Sequence, residues 1–280
     1  VTRTAPPRVT TTRAPAPTLA AFRAEILKTV TLRSWWIGVG VILALNLYFA
    51  QMNTALIVDL SSTLKDGVFV DFDGTVAPFA RAVTDGILSS PYQSAALFVP
   101  LLVALVCGQE YRSGQLLISA AAVPSRVRLA AVKIAVAGTL GAAVTLVAFL
   151  LSDAVLLLLL PAEGRAVVLS ATGLLVAAKV TLYAVVMAIV AGALTTLFRS
   201  TMPALITIVA VLVLALSGLL RATVPPAHDL LPMIAAKTFL FGYVSEPGDP
   251  SASIGVAVLL GWLGVATVAW LLVFRRRDIE

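Results

Sequence analysis

One cysteine and one histidine occur in 280 residues, and only 12% of the side chains are charged. Cys107 on its own excludes an internal disulfide and any multi-cysteine metal site. It lies in an apolar run and reads as a small core residue. His228 sits in a Pro-rich loop without the partners that a zinc or catalytic site needs. There is no G-x-x-x-x-G-K-[ST] loop to cradle phosphates, no H-E-x-x-H and no G-x-S-x-G. The apolar stretches carry no cluster of ionisable groups, so an intramembrane enzyme is disfavoured. No catalytic, cofactor-binding or metal-ligating residue is expected in this chain.

What the chain has in place of charge is apolar length. Sixty per cent of it is hydrophobic and its mean hydropathy is +1.01. A water-soluble fold of this size could not bury that much apolar surface, so lipid takes the part of solvent. Six stretches of 19–25 residues carry no charge: Ser34–Val58, Gly86–Gln109, Ile134–Ser152, Val180–Phe198, Ser200–Leu220 and Pro250–Phe274. At 1.5 Å per residue each covers about 30 Å of hydrocarbon. Their uniform apolarity suits helices, which satisfy their own backbone, and not the short alternating segments of a barrel. The sequence therefore predicts an all-α polytopic membrane protein with six transmembrane helices.

The basic residues sort by side. With the N-terminus inside, the inner segments hold Arg3, Arg8, Arg13, Arg23, Lys28, Arg33, Arg112, Arg126, Arg128, Lys133, Arg199 and Arg275 to Arg277. The outer segments hold five: Lys65, Arg81, Arg165, Arg221 and Lys237. Nine acids, from Asp59 to Asp249, are outside. This positive-inside pattern puts both termini in the cytoplasm and explains the net charge of +6 without nucleic acid.

Residues 1–17 are rich in Thr, Pro and Arg and read as a disordered cytoplasmic tail. The first apolar run is too long for a signal peptide and lacks a cleavage site. Residues 18–33 read as an amphipathic interfacial helix with Leu19, Phe22, Ile26 and Val30 on one stripe and Arg23, Glu25 and Lys28 off it. Trp35 and Trp36 would sit at the membrane boundary. Residues 34–280 form the six-span domain, with a cytoplasmic loop 110–133 and outer loops 59–85 and 221–252. The middle of the 110–133 loop reads as a short helix broken at Pro124. In the last outer loop, 230–243 is apolar but too short to cross and reads as a re-entrant or interfacial element.

Two charges lie in apolar surroundings. Asp153 and Lys179 each lie twenty positions from the inner end of a span, which would put them at one depth near the outer boundary. They form an ion pair there, or each snorkels to headgroups separately.

The loop opens with Glu110-Tyr111-Arg112 and Gly114, and closes with Pro124, Arg126, Arg128, Ala131 and Lys133. This order is similar to the E-Y-R-x-G, P-x-R and A-x-K pattern between the second and third spans of bacterial ATP-binding-cassette type-2 permeases. The entry Phe22–Trp36, with Glu25, Lys28, Thr31, Arg33, Ser34 and Trp36, resembles the segment before the first span of actinobacterial members. The ending Phe274–Ile279 resembles the family's terminus. The fairly long 59–85 loop departs from the pattern.

That resemblance implies the permease subunit of an exporter in the bacterial cell membrane. Two six-span subunits would pair, as homo- or heterodimer, and each would dock a separate ATPase that holds ATP and Mg. Glu110, Tyr111, Arg112, Gly114, Pro124, Arg126 and Arg128 would make the ATPase-coupling surface. Phe22, Glu25, Lys28 and Arg33 would contribute from the interfacial helix, and 230–243 would line or cap the exit. The rival readings are a self-contained secondary carrier and a non-transporting membrane scaffold. A carrier is disfavoured because no charged or broken-helix site is visible near midplane.

Overall fold

The computed structural model describes residues 18–62, 68–70, 76–241 and 251–276. The 1–17 tail, residues 63–67 and 71–75 of the 59–85 loop, residues 242–250 and the end of the Phe274–Ile279 motif lie outside the described residues. Apart from a hairpin of two three-residue strands, β1 (Val68–Val70) and β2 (Val76–Pro78), the described elements are helices.

Five helical segments are long and apolar enough to cross a membrane: Arg33–Asp59, Phe79–Ser113, Arg126–Leu159, Ala171–Phe198 and Ala252–Arg276. This is the make-up of an all-α, multi-pass membrane protein. The elements are α1 (Thr18–Val30), α2 (Arg33–Ser62), α3 (Phe79–Leu97), α4 (Val99–Ser113), α5 (Gln115–Ala122), α6 (Arg126–Leu159) and α7 (Ala162–Val168). There follow α8 (Ala171–Phe198), α9 (Thr201–Leu216), α10 (Leu219–Thr223), α11 (Pro225–Asp229), α12 (Pro232–Phe241) and α13 (Ala252–Arg276). Helix α8 is the hub, packed on α3, α4, α6, α9 and α13.

The charge-free stretch Ser200–Leu220 is the one that falls short as a helix. Helix α9 has 16 residues, about 24 Å at 1.5 Å per residue. It stops because Gly218 turns to a left-handed φ of 67° and starts α10, a conformation that glycine takes without a Cβ penalty. Other helices outrun the charge-free stretches. Helix α2 continues to Ser62, α3 begins at Phe79, and α8 begins at Ala171. Charged residues that flank the apolar runs, Asp59, Arg81, Asp85 and Lys179 among them, thus remain helical.

Small residues let these helices approach. A Cβ on Gly141 would stand 2.7 Å from that of Ala188, and one on Gly192 would stand 2.2 Å from the Trp270 ring. Close approach at small residues is what drives helix association where lipid removes the hydrophobic incentive. A buried polar knot supplements it. Asn46, fully buried on α2, donates to the Ala148 carbonyl (2.8 Å) and Ser152 Oγ (2.9 Å) of α6, and accepts from Ser94 Oγ of α3 (2.8 Å).

Candidate functional site

At the end of the bundle that holds α1 and α5, four charges close into an alternating ring. Lys28 Nζ lies 2.6 Å from Glu25 Oε2 and 2.6 Å from Glu110 Oε1. Lys133 Nζ lies 2.9 Å from Glu25 Oε2 and also bonds Glu110 Oε2. Two acids and two bases cancel, so the buried cluster carries no net charge. Ser119 on α5 joins it by donating to Glu25 Oε1 (2.6 Å) and accepting from Lys28 Nζ (3.2 Å). Four helices, α1, α4, α5 and α6, thus meet through side-chain bonds.

Local structure delivers each member. On α1 the buried seam is Ala21, Glu25 and Thr29, spaced by four so that they share one face. Phe22, Ile26 and Val30 flank that seam and pack partly on the core, whereas Leu19 stays 60% exposed. The expected apolar stripe is therefore not the centre of the contact: Glu25, placed off it by sequence, is. The reason is that Lys133 on the facing helix and Lys28 on α1 itself pair with it, and paired charges can be buried where lone ones cannot. Gly114, at φ 68°, ends α4 and starts α5. Val123 precedes Pro124 in a non-helical conformation (φ −121°, ψ 89°), as the proline ring demands. Ser125 then caps α6 by accepting from the Arg128 N–H.

The ring biases Glu25. Burial would raise its carboxyl, but the Lys133 charge, the hydrogen bonds from Lys28 and Ser119 and the Lys28 charge outweigh that and hold it at about 2, against 4.5 ordinarily. Glu25 is ionised at any physiological pH.

The remaining expected coupling residues divide. Glu110 is drawn into the ring and Tyr111 is half-buried beside it, lining a cavity of about 30 Å³ with Cys107, Thr196 and Trp270. Arg112, Gly114, Pro124 and Arg126 are exposed, and Arg128 is half-buried. On α5 the outward residues are apolar: Leu117 is 47% and Ile118 71% exposed, and Val127 beyond the break is 48% exposed. Arg33 and Trp36 are both exposed at the start of α2, where Trp36 Nε1 donates to the Val30 carbonyl (2.7 Å).

Asp153 and Lys179 are not brought together. Lys179 Nζ lies 3.4 Å from the Phe239 carbonyl of α12 and 5.4 Å from the centre of that residue's ring. Asp153 Oδ1 is buried without a hydrogen-bond partner among the described residues. Equal depth alone suggested the pair, whereas Lys179 is claimed by α12, which packs on α8 and supplies the carbonyl.

Sequence reasoning missed Ser119 and Asn46 and did not link Lys133 to Glu25. One signal was available. Glu25 and Glu110 are the only acids assigned to the basic side ahead of the last span, and a lone acid among bases is a candidate for pairing. Among the described residues no group of three or more His, Cys, Asp or Glu could hold a metal ion. No protein-family model matches this chain, and no curated protein matches it.

Proposed function

We propose that this chain is the six-span membrane subunit of an ATP-driven exporter, with both termini cytoplasmic and a separate ATPase docked on the α5 loop. The observation that carries the reading is the ring itself. A short exposed helix bearing Leu117 and Ile118 is tied through Ser119 to a buried charge cluster that also grips α1, α4 and α6. Force applied to α5 from outside would reach two long spans without passing through loop. That is what a coupling element requires: a partner's two states must bias two arrangements of packed helices.

Helix α9 would be the remaining span, short but free of charge, which returns the C-terminus to the side of the N-terminus. The bordering Arg112 and Arg126 suit an acidic rim on the ATPase. Substrate would pass between two such subunits, and α12 would sit near the exit.

The test is retention of the ATPase. An ATP-hydrolysing chain encoded beside this one should co-purify with wild type and be lost on Ile118→Glu or Arg112→Glu, both exposed, while the thermal unfolding midpoint is unchanged. Full retention by both variants would remove the docking surface. Tags on the two termini found on opposite faces of the membrane would remove the six-span layout.

A further inference from the structure

We propose that Trp262 walls a binding site for one alkyl chain of a membrane lipid, formed between α9 and α13 at the α12 end of the bundle. Two apolar spaces meet at this residue. One is a groove of about 550 Å³ on the outward side of α13, lined by Leu230, Ile254, Val258, Gly261, Trp262 and Val265. The other is a cleft of about 80 Å³ running inward, lined by Met187, Ile208, Leu212, Met233 and again Trp262.

Gly261 lines the groove and adds no side chain to it. A Cβ at that position would meet nothing within 4 Å, so the helix surface is cut away beside the indole. The indole is fixed in turn, since Trp262 Nε1 donates to the Leu230 carbonyl at 2.8 Å. Its one polar atom is thereby satisfied, and it presents only ring carbon to either space.

The chemistry of the walls selects the occupant. The single hydroxyl in the cleft, Thr207, already donates to the Pro203 carbonyl (2.9 Å). Water needs two to four polar partners and would find at most this one hydroxyl, as an acceptor, so the cleft is dry. Helix α13 is itself long and apolar enough to cross a membrane, so the groove opens into hydrocarbon. A chain of methylenes is the one abundant molecule there with the right shape. Its body fits the groove and its terminal carbons fit the cleft. Ordinary lipid contact with convex helix faces has no such inward branch.

This inference does not depend on the exporter reading, and the experiment keeps them apart because it involves no ATPase. The full chain in vesicles of a phosphatidylcholine with a photoactivatable group near the end of one acyl chain is irradiated, and labelled peptides are mapped. Label should be enriched several-fold on Ile254–Val265 and on Met187 or Leu212, relative to Ile37–Val41, a lipid-facing stretch of α2. Gly261→Trp should abolish both signals, and Gly40→Trp, at a glycine of α2 that also faces open space, should leave them. Trp262→Ala should raise labelling of Met187 and Leu212. Equal labelling of α13 and α2 would mean annular lipid only and would overturn the site. So would a groove shielded from label but cross-linked to a second copy of the chain.

Discussion

Glu25 and Lys133 stand 108 positions apart in the chain and 2.9 Å apart in space. Both are buried, at 7% and 8% exposed. Removing the lysine would leave the carboxylates of Glu25 and Glu110 facing each other with only Lys28 between them. Breaking a buried pair costs about 3–5 kcal/mol because the orphaned charge stays desolvated. Lys133→Met should therefore lower the unfolding midpoint in detergent far more than Lys237→Met on the exposed side of α12. In a double-mutant cycle with Glu25→Gln, part of the loss should return, a coupling of about 0.5–3 kcal/mol.

The same contact sets an acid limit. The Glu25 carboxyl is held at about 2 in the folded chain against 4.5 ordinarily. A depressed carboxylate contributes its stability in full above the unfolded value and loses it as pH falls through the folded one. Stability should thus be flat with respect to this group from neutral pH down to about 4.5 and decline from there toward about 2. Glu25→Gln should be less stable at neutral pH and should lose part of the acid slope. A midpoint-against-pH curve with the wild-type slope in that variant would assign the acid loss elsewhere.

The membrane class and most of the span positions were legible because a charge-free apolar run is a one-dimensional signal. The length of α9 was not, since it turns on the backbone of Gly218, a residue with no hydropathy message of its own. The site was half legible. Glu25, Lys28 and Glu110 stood out as residue types, but each was assigned outward, toward a partner. That Lys133 turns them inward is a fact of helix packing: Ala21, Glu25 and Thr29 make a seam that hydropathy ranks below Phe22 and Ile26. Asp153 and Lys179 show the reverse failure, where equal depth says nothing of angular position around a helix.

Asn46 offers a measurement of the polar knot. It is the joint of α2, α3 and α6, and all its bonds lie inside a predicted span. Asn46→Leu would delete the donor and the acceptor together and leave Ser94 Oγ without its acceptor. Interhelical hydrogen bonds in membranes are worth about 0.6–2 kcal/mol, so a loss of about that size is expected. Asn53→Leu, which breaks a single half-buried bond to Ser90, should cost less. A larger loss at Asn53 would mean that the three-helix joint is not the stronger one.

Gly255 governs how α12 lies on α13. A Cβ there would come within 2.4 Å of Thr238 Oγ1 and 2.5 Å of the Ala235 carbonyl, and a backbone carbonyl cannot swing aside as a flexible side-chain end can. Gly255→Ala should push α12 outward, at a cost of about 1–3 kcal/mol for overpacking. That displacement would stretch the Tyr92 Oη bond to the Met233 carbonyl, 3.0 Å in the intact chain, and the Lys179 contact with Phe239. Gly261→Ala, further along the same helix in open space, should gain up to about 1 kcal/mol from helix propensity. The two alanines thus have opposite signs on the same helix. Thermal midpoints of the pair, with the reactivity of a cysteine placed at Lys237, separate steric contact from mere glycine content. If both variants shift the midpoint in the same direction, the close packing of α12 against α13 does not hold that element in place.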